Sequence, residues 1–216
     1  SSSDVKPPTA AELLEHYTPE QLRLHFMNAS LSERSVGFEP KAILGKNASG
    51  GFDTVLYEGN LVTNIFNRLV RSCFYATQKH NGGMLPACEV SHAVKERADR
   101  TILDYERLMS ELSFDKVFEL LNLYLRDANK DWSMRSKSEN ADAREQLLAD
   151  SFHVLRTAVT LFHPITPMGC EMVREYLGVD ARLWQWEYIF EPLAFFAGPN
   201  HKIRFLEPRV DFFKKH

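Results

Sequence analysis

The feature that most constrains this chain is a long apolar stripe between residues 59 and 74. Leu61, Ile65 and Leu69 recur at the four-residue spacing of a helix face, and Phe74 continues the pattern. Further apolar residues at positions 62, 66 and 70 widen the stripe, so other helices must cover it. The pattern predicts a central buried helix over about residues 54–79.

Composition and charge limit the classes of protein that this chain can join. Its 216 residues are 44% hydrophobic and 25% charged, enough for one large domain or a domain with an appendage. No run approaches the ~18 uninterrupted apolar residues of a spanning helix, so we expect no membrane partner and a cytoplasmic location. Cys73, Cys88 and Cys170 include no close pair and indicate reduced thiols. Because the net charge is −3, a nucleic-acid partner would have to meet a local basic patch.

Helix signals recur along most of the remaining sequence. Thr9 and Glu12 form a capping-box pattern, and Thr18 followed by Pro19 begins a second helix. Further helices are expected at about residues 91–112, 113–125, 141–162 and 168–177. Their short connections favour antiparallel neighbours, so the sequence predicts an all-α antiparallel helix bundle.

The last part of the chain differs from the rest in composition. Residues 179–216 are rich in Trp, Phe and Pro, and residues 202–206 alternate like a short strand. We expect this part to be an irregular, aromatic-rich C-terminal tail.

Two clusters of basic and amide side chains are the candidate functional residues. The first comprises Asn64, Asn67, Arg68 and Arg71, and the second surrounds Trp132 with Arg126, Asn129, Lys130, Arg135 and Lys137. Asn67 and Arg71 lie four residues apart, so they share a helix face and can present hydrogen bonds to a base edge. The alternative for this pair is a solvated surface beside the apolar stripe.

The combination of charge, amide groups and an aromatic ring is typical of single-stranded RNA recognition, in which bases stack on rings and bond along their edges. For Trp132, the alternative is partial burial at a helix end. For the basic residues around it, the alternative is a solvated face that balances Asp127 and Asp131.

No metal site or catalytic constellation is predicted. Glu89 and His92 form a single Glu-x-x-His match, and one match cannot build the two-metal site of a helix bundle. We therefore expect a capping glutamate and a surface histidine at these positions. No glycine-rich phosphate loop follows a strand, and the other histidines lack metal-ligand spacing.

Several short motifs, taken in order, resemble the C-terminal part of methionyl-tRNA synthetase, a class I aminoacyl-tRNA synthetase. Ser1-Ser2-Ser3 falls where the KMSKS signature loop of that family ends, and residues 11–17 and 22–26 follow at its spacing. Gly59-Asn60-Leu61-Val62 is similar to the opening of the family's anticodon-binding bundle. Further along, Ala128-Asn129-Lys130 resembles the family's Ala-Asn-Lys/Arg element, and residues 163–167 resemble its proline-marked turn.

The resemblance implies a helical anticodon-binding domain. Asn67 and Arg71 match positions where bacterial-type methionyl enzymes carry an Asn and an Arg that read anticodon bases. Trp132 would stack on a base. The side chains that would meet phosphates are Arg68, Arg126, Lys130 and Arg135, and Asn64 and Asn129 complete the RNA-binding set.

By the same resemblance, the parent enzyme uses ATP and Mg²⁺ to attach methionine to tRNA in an upstream catalytic domain. This chain would hold no catalytic residue, with Ser1, Ser2 and Ser3 as a remnant of the signature loop. Ser2 stands where the family has a lysine that helps to hold the ATP phosphates. Lys137 and Ser138 stand where it has a Pro-Trp pair whose Trp stacks on the anticodon.

The expected organisation has three parts: the end of the signature loop with a connector helix at 1–17, the anticodon-binding domain at 18–178, and a C-terminal appendage at 179–216. Two other functions remain open at this point. One is the anticodon-binding bundle of a leucyl, isoleucyl or valyl enzyme. The other is a non-catalytic, synthetase-like binding module.

Overall fold

The computed structural model describes residues 7–30 and 55–216. The predicted loop at 31–53 and the signature-loop remnant Ser1-Ser2-Ser3 lie outside these residues. The helices of the described residues are α1 (Ala10–Leu14), α2 (Pro19–Asn28), a π-helical segment (Leu61–Phe66), α3 (Asn67–His80), α4 (His92–Ser110), α5 (Phe114–Arg135), α6 (Ala141–Phe162), α7 (Pro167–Leu177), two short 3-10 turns (Ala181–Trp184 and Trp186–Tyr188) and α8 (Leu193–Phe196). They contain no strand, so the predicted all-α helix bundle is confirmed.

The local signals at helix ends are confirmed where the structure describes them. The Thr9 hydroxyl accepts from the Glu12 amide, and the Glu12 carboxylate accepts from the Thr9 amide, which completes the capping box. Thr18 caps α2 in front of Pro19. Gly178 ends α7 in the left-handed conformation, with φ of 70°, which glycine adopts without strain.

Helix α6 lies at the centre of the bundle. It packs against α3, α4, α5 and α7. Every residue from Leu147 to Phe162 is buried, as expected of a helix that is covered on all sides. The stripe that begins at Leu61 does enter this core, but its helix forms one wall and α6 forms the centre.

Helix α5 is longer than the sequence indicated. Polar and charged residues after Leu125 suggested that the helix decays there, yet it continues to Arg135. Two pairs of residues one turn apart support this extension: Arg126 donates to Asn122 at 2.8 Å, and Arg135 pairs with Asp131 at 3.0 Å.

The C-terminal tail shares the core of the bundle. Its buried apolar side chains include Leu183, Ile189, Leu193, Phe196, Ile203, Leu206, Phe212 and Phe213. The predicted strand at 202–206 is absent from the described fold, where a single bridge joins Lys202 to Met84. A strand needs a neighbouring strand to form a hydrogen-bonded ladder, so the alternating pattern alone was not sufficient to predict a strand here.

A close contact between α7 and the tail shows how tightly the two are packed. The Phe213 ring stacks on Phe66 with ring centroids 4.9 Å apart. A Cβ atom at Gly169 would come within 2.1 Å of the Phe213 ring, so only glycine fits at this position in α7. The Phe213 ring of the tail therefore fills a space that Phe66 and Gly169 leave for it.

Helix α6 carries polar side chains into this core. Arg156 is fully buried, donates to the carbonyls of Tyr188 and Ile189, and lies 5.3 Å from the centre of the Phe196 ring. His153 is 3% exposed, and neither of its ring nitrogens has a hydrogen-bond partner among the described residues. Burial, with the positive charges of Arg156 and Lys95 nearby, lowers the pKa of His153 to about 4.

This pKa predicts a loss of stability in acid. His153 binds its proton less readily in the folded chain than in the unfolded chain, whose histidine titrates near its ordinary value of ~6.5. The stability that neutral His153 contributes to the folded chain is therefore fully present above pH ~6.5 and is lost as the pH falls towards 4. Relative to the His153→Phe variant, the wild-type chain should lose about 2 to 3 kcal/mol of unfolding free energy between pH 7 and 4. Urea unfolding of both proteins across this range measures the difference, and parallel pH profiles would contradict it.

Candidate nucleic-acid interface

The two clusters predicted from the sequence lie against each other. The Asn129 side-chain amide on α5 donates to the backbone carbonyl of Ile65, in the π-helical segment, at 3.0 Å. It also donates to the Leu125 carbonyl of its own helix at 3.0 Å. The hydrogen bond from Asn129 to Ile65 therefore joins α5 to the π-helical segment that precedes α3. The spacing of residues within either helix could not indicate this contact.

The π-helical segment presents carbonyls that side chains reach. Asn67 donates to the Thr63 carbonyl at 3.0 Å, and Asn129 donates to that of Ile65. The Thr63 hydroxyl donates to the Gly59 carbonyl at 3.0 Å. Wide helical turns of this kind are frequent at functional sites, and here the turn stands between the two predicted clusters.

Asn67 is fully buried, and its amide is saturated by the protein itself. Besides Thr63, its Nδ2 donates to the Phe213 carbonyl at 2.9 Å. Its Oδ1 accepts from the backbone amides of Phe212 and Phe213, both at 3.1 Å. A side-chain amide has two donor hydrogens and two acceptor lone pairs, and all four are used. In this structure Asn67 therefore has no free donor or acceptor for a base edge, and it holds the C-terminal segment.

Arg71 contacts the same segment. Its Nε donates to the Val210 carbonyl at 3.0 Å, and its guanidinium forms an ion pair with Asp211. About a third of the side chain stays exposed. The predicted shared face of Asn67 and Arg71 exists, but the tail covers most of it.

Two further residues extend this face along α3. The Tyr75 hydroxyl donates to the Glu207 carbonyl at 3.3 Å. Gln78 accepts from the Leu206 amide at 2.6 Å and donates to the Leu206 carbonyl at 3.4 Å. We call the four side chains Asn67, Arg71, Tyr75 and Gln78 the α3 polar stripe. Taken along the helix, they bond the tail in reverse order, from Phe213 back to Leu206.

On α5, Arg135 has a structural partner as well. Its guanidinium pairs with Asp131 at 3.0 Å and with the buried carboxylate of Asp150 on α6 at 2.8 Å. Removing Arg135 would leave that buried charge unpaired. In this structure Arg135 is therefore held by ion pairs within the bundle, and its contact with a phosphate stays a prediction. Trp132 is half-buried and packs against the core, which matches the alternative weighed for it.

Five of the candidate residues keep exposed side chains: Asn64, Arg68, Arg126, Lys130 and Lys137. Asn64, in the π-helical segment, and Arg68, in the first turn of α3, are one turn apart, and their side chains approach to 3.5 Å. Arg126 and Lys130 are one turn apart on α5. The Asn129–Ile65 hydrogen bond joins the two helices that carry these pairs. Three exposed cationic side chains and one exposed amide therefore lie on the two helices joined by this bond.

No cluster of three or more potential metal ligands occurs in the part of the chain that the structure describes. None of the helices described there is long and apolar enough to cross a membrane. Glu89 and His92 are both exposed.

Sequence comparisons leave the family open. The sequence matches no protein-family model, and no curated protein matches it.

Comparison of the fold is more informative. The fold is similar to that of Mycobacterium tuberculosis methionyl-tRNA synthetase in its apo form, with a TM-score of 0.62 over 73% of this chain and 20% identity. Structures of that enzyme with methionyl-adenylate give TM-scores of 0.60 and 0.56 over 71% and 69% of this chain, at 21% and 22% identity. This helix bundle shares its fold with a region of methionyl-tRNA synthetase. The match spans about a third of the synthetase, 33%, 31% and 30% of its length in the three structures.

The saturation of Asn67 predicts a large effect on stability. In the Asn67→Ala variant, the amides of Phe212 and Phe213 lose their buried acceptor, and we expect a loss of about 2 to 4 kcal/mol of unfolding free energy. Asn64→Ala is the matched control, because Asn64 is exposed one turn earlier, and it should change stability by less than about 0.5 kcal/mol. Urea unfolding measures both variants. Similar losses for the two would show that Asn67 does not hold the tail.

Proposed function

We propose that this chain is the tRNA anticodon-binding part of a methionyl-tRNA synthetase. The observation that carries the proposal is the fold shared with the Mycobacterium tuberculosis enzyme over most of this chain. Fold alone does not define function, so the proposal also rests on the motifs in the sequence and on the exposed cationic side chains beside the π-helical segment.

In this proposal, the RNA contacts the surface around the Asn129–Ile65 bond. Arg68, Arg126 and Lys130 are exposed cations that can approach phosphates. Arg126 donates to Asn122 and Arg68 to Asn64, and neither acceptor is a carboxylate. Asn64 offers an exposed amide for a base edge, and the accessible part of the Trp132 ring offers a stacking surface. Asn67 and Arg71 act as positioning residues, because they fix the tail beside this surface.

The activity of the whole protein is part of the same proposal. A catalytic domain upstream would use ATP and Mg²⁺ to activate methionine and transfer it to the tRNA, in the cytoplasm. Connector helix α1 would lie between that domain and the bundle. The anticodon loop would be bound here, at a distance from the reaction, so this part would contribute selection of the tRNA and no chemical step.

A second candidate is a binding module that kept the fold and binds RNA without reading its sequence. The observation that favours it is the saturation of Asn67, which removes one of the two side chains expected to read bases. The exposed arginines and the lysine would then serve non-specific phosphate contacts alone.

Binding of an anticodon stem-loop tests the proposal. Fluorescence anisotropy with a CAU stem-loop and with a scrambled loop, at two salt concentrations, should show tighter binding of CAU that persists at the higher salt. Arg68→Ala and Lys130→Ala should each weaken both RNAs alike and reduce the slope of affinity against salt by about 1. Lys116→Ala is the matched control, since Lys116 is an exposed lysine in the first turns of α5.

The same experiment separates the two candidates. If both loops bind equally and binding falls steeply with salt, the non-specific module is correct. If neither loop binds, or if Lys116→Ala weakens binding as much as Lys130→Ala, the proposed surface is wrong.

A further inference from the structure

A cavity of about 980 Å³ lies away from the proposed RNA surface. Its walls come from the end of α3, the segment 84–90 that follows it, α6, and residues 192–201 of the tail. The volume is in the range of sites that hold small molecules. Several wall residues, such as Ala87 and Gly198, are exposed, so the cavity opens to solvent.

The inner wall is apolar with one polar exception. Ala149, Phe152 and Leu193 are buried and form an apolar surface. His153 lies among them, 3% exposed, with no hydrogen-bond partner for either ring nitrogen in the described part of the chain. A buried polar group without a protein partner costs stability, so a molecule bound in the cavity that bonds His153 would gain a favourable hydrogen bond there.

The charges around His153 favour an anionic head group. Lys95 lines the cavity, and it and Arg156 both act on His153 electrostatically. Three carboxylates lie nearby as well, of which Asp150 acts on His153 less strongly than Arg156 and Lys95. Asp150 pairs with Arg135, and Glu145 accepts from the Ala87 amide at 3.2 Å. Glu89 is exposed in the wall.

We propose that this cavity binds a small amphipathic carboxylate. Its apolar body packs against Phe152 and Leu193, and its carboxylate accepts from a ring nitrogen of His153 with Lys95 as counter-charge. A neutral imidazole donates through one nitrogen, so the bond requires no protonation of His153. The site is separate from the proposed RNA surface and does not depend on the proposed function.

Titration of the 216-residue chain with three matched probes tests the site. Phenylbutyrate, phenylbutyramide and phenylbutylamine share one apolar body and differ only in the head group. In two-dimensional amide NMR, phenylbutyrate should shift the resonances of cavity residues with a Kd on the order of 1 mM, as expected for a ligand of its size. The amide should bind more weakly, and the amine at least about tenfold more weakly, because it meets Lys95 with like charge.

Three variants identify the groups that bind the carboxylate. His153→Phe keeps a ring of similar size and should weaken phenylbutyrate about tenfold. Lys95→Ala should weaken it about threefold, since an exposed charge contributes less. Lys116→Ala, an exposed lysine away from the cavity, should leave it unchanged.

The outcomes decide the proposal. Equal binding of the three probes, or unchanged phenylbutyrate affinity in both His153→Phe and Lys95→Ala, would overturn the carboxylate site. Absence of shifts at cavity residues for all three probes would overturn it as well. If His153→Phe does not fold, the head-group series and Lys95→Ala still decide the result.

Discussion

The structure depends on one buried amide. Asn67 joins the start of α3 to the backbone of Phe212 and Phe213, about two thirds of the chain away. The tail runs without regular secondary structure through its last residues, so its own amides and carbonyls have no ladder to satisfy them. Backbone groups that enter a core must find partners, and here side chains of the bundle supply them.

The same solution recurs at several places where the tail meets the bundle, whereas residues 201–204 bond the backbone of residues 83, 85 and 176 directly. The α3 polar stripe bonds residues 206–213. On α6, Arg156 donates to the carbonyls of Tyr188 and Ile189, and the Thr160 hydroxyl donates to that of Leu183 at 3.3 Å. Apolar burial of the tail supplies attraction without direction, whereas these bonds fix which part of the tail lies over which turn of the helices.

This arrangement changes how the predicted RNA pair is interpreted. A polar pair at helical spacing can face RNA, solvent or another part of the protein, and its sequence is the same in each case. For Asn67 and Arg71, the structure gives the third answer. The nearby cations Arg68, Arg126 and Lys130 keep exposed side chains.

Much of the fold could be predicted from local sequence. The capping box at Thr9 and the start of α2 at Thr18 and Pro19 depend only on neighbouring residues, and both predictions are confirmed. Contacts between distant residues could not be predicted in this way. The spacing of α3 defined a polar face, but nothing nearby indicated that residues 206–213 cover it, and the partner of Arg135, Asp150, lies on the next helix. The same limit applies to Asn129, whose bond to Ile65 brings the two clusters together.

The most direct test of the account is amide hydrogen exchange at Phe212 and Phe213, measured by NMR with and without the CAU stem-loop. These two amides donate to Asn67, so their exchange reports whether Asn67 still holds the tail. We expect slow exchange in the free chain and no acceleration when RNA is bound. Exchange that accelerates at both amides on RNA binding would show that the tail leaves Asn67 and frees it for a base, which would contradict the account.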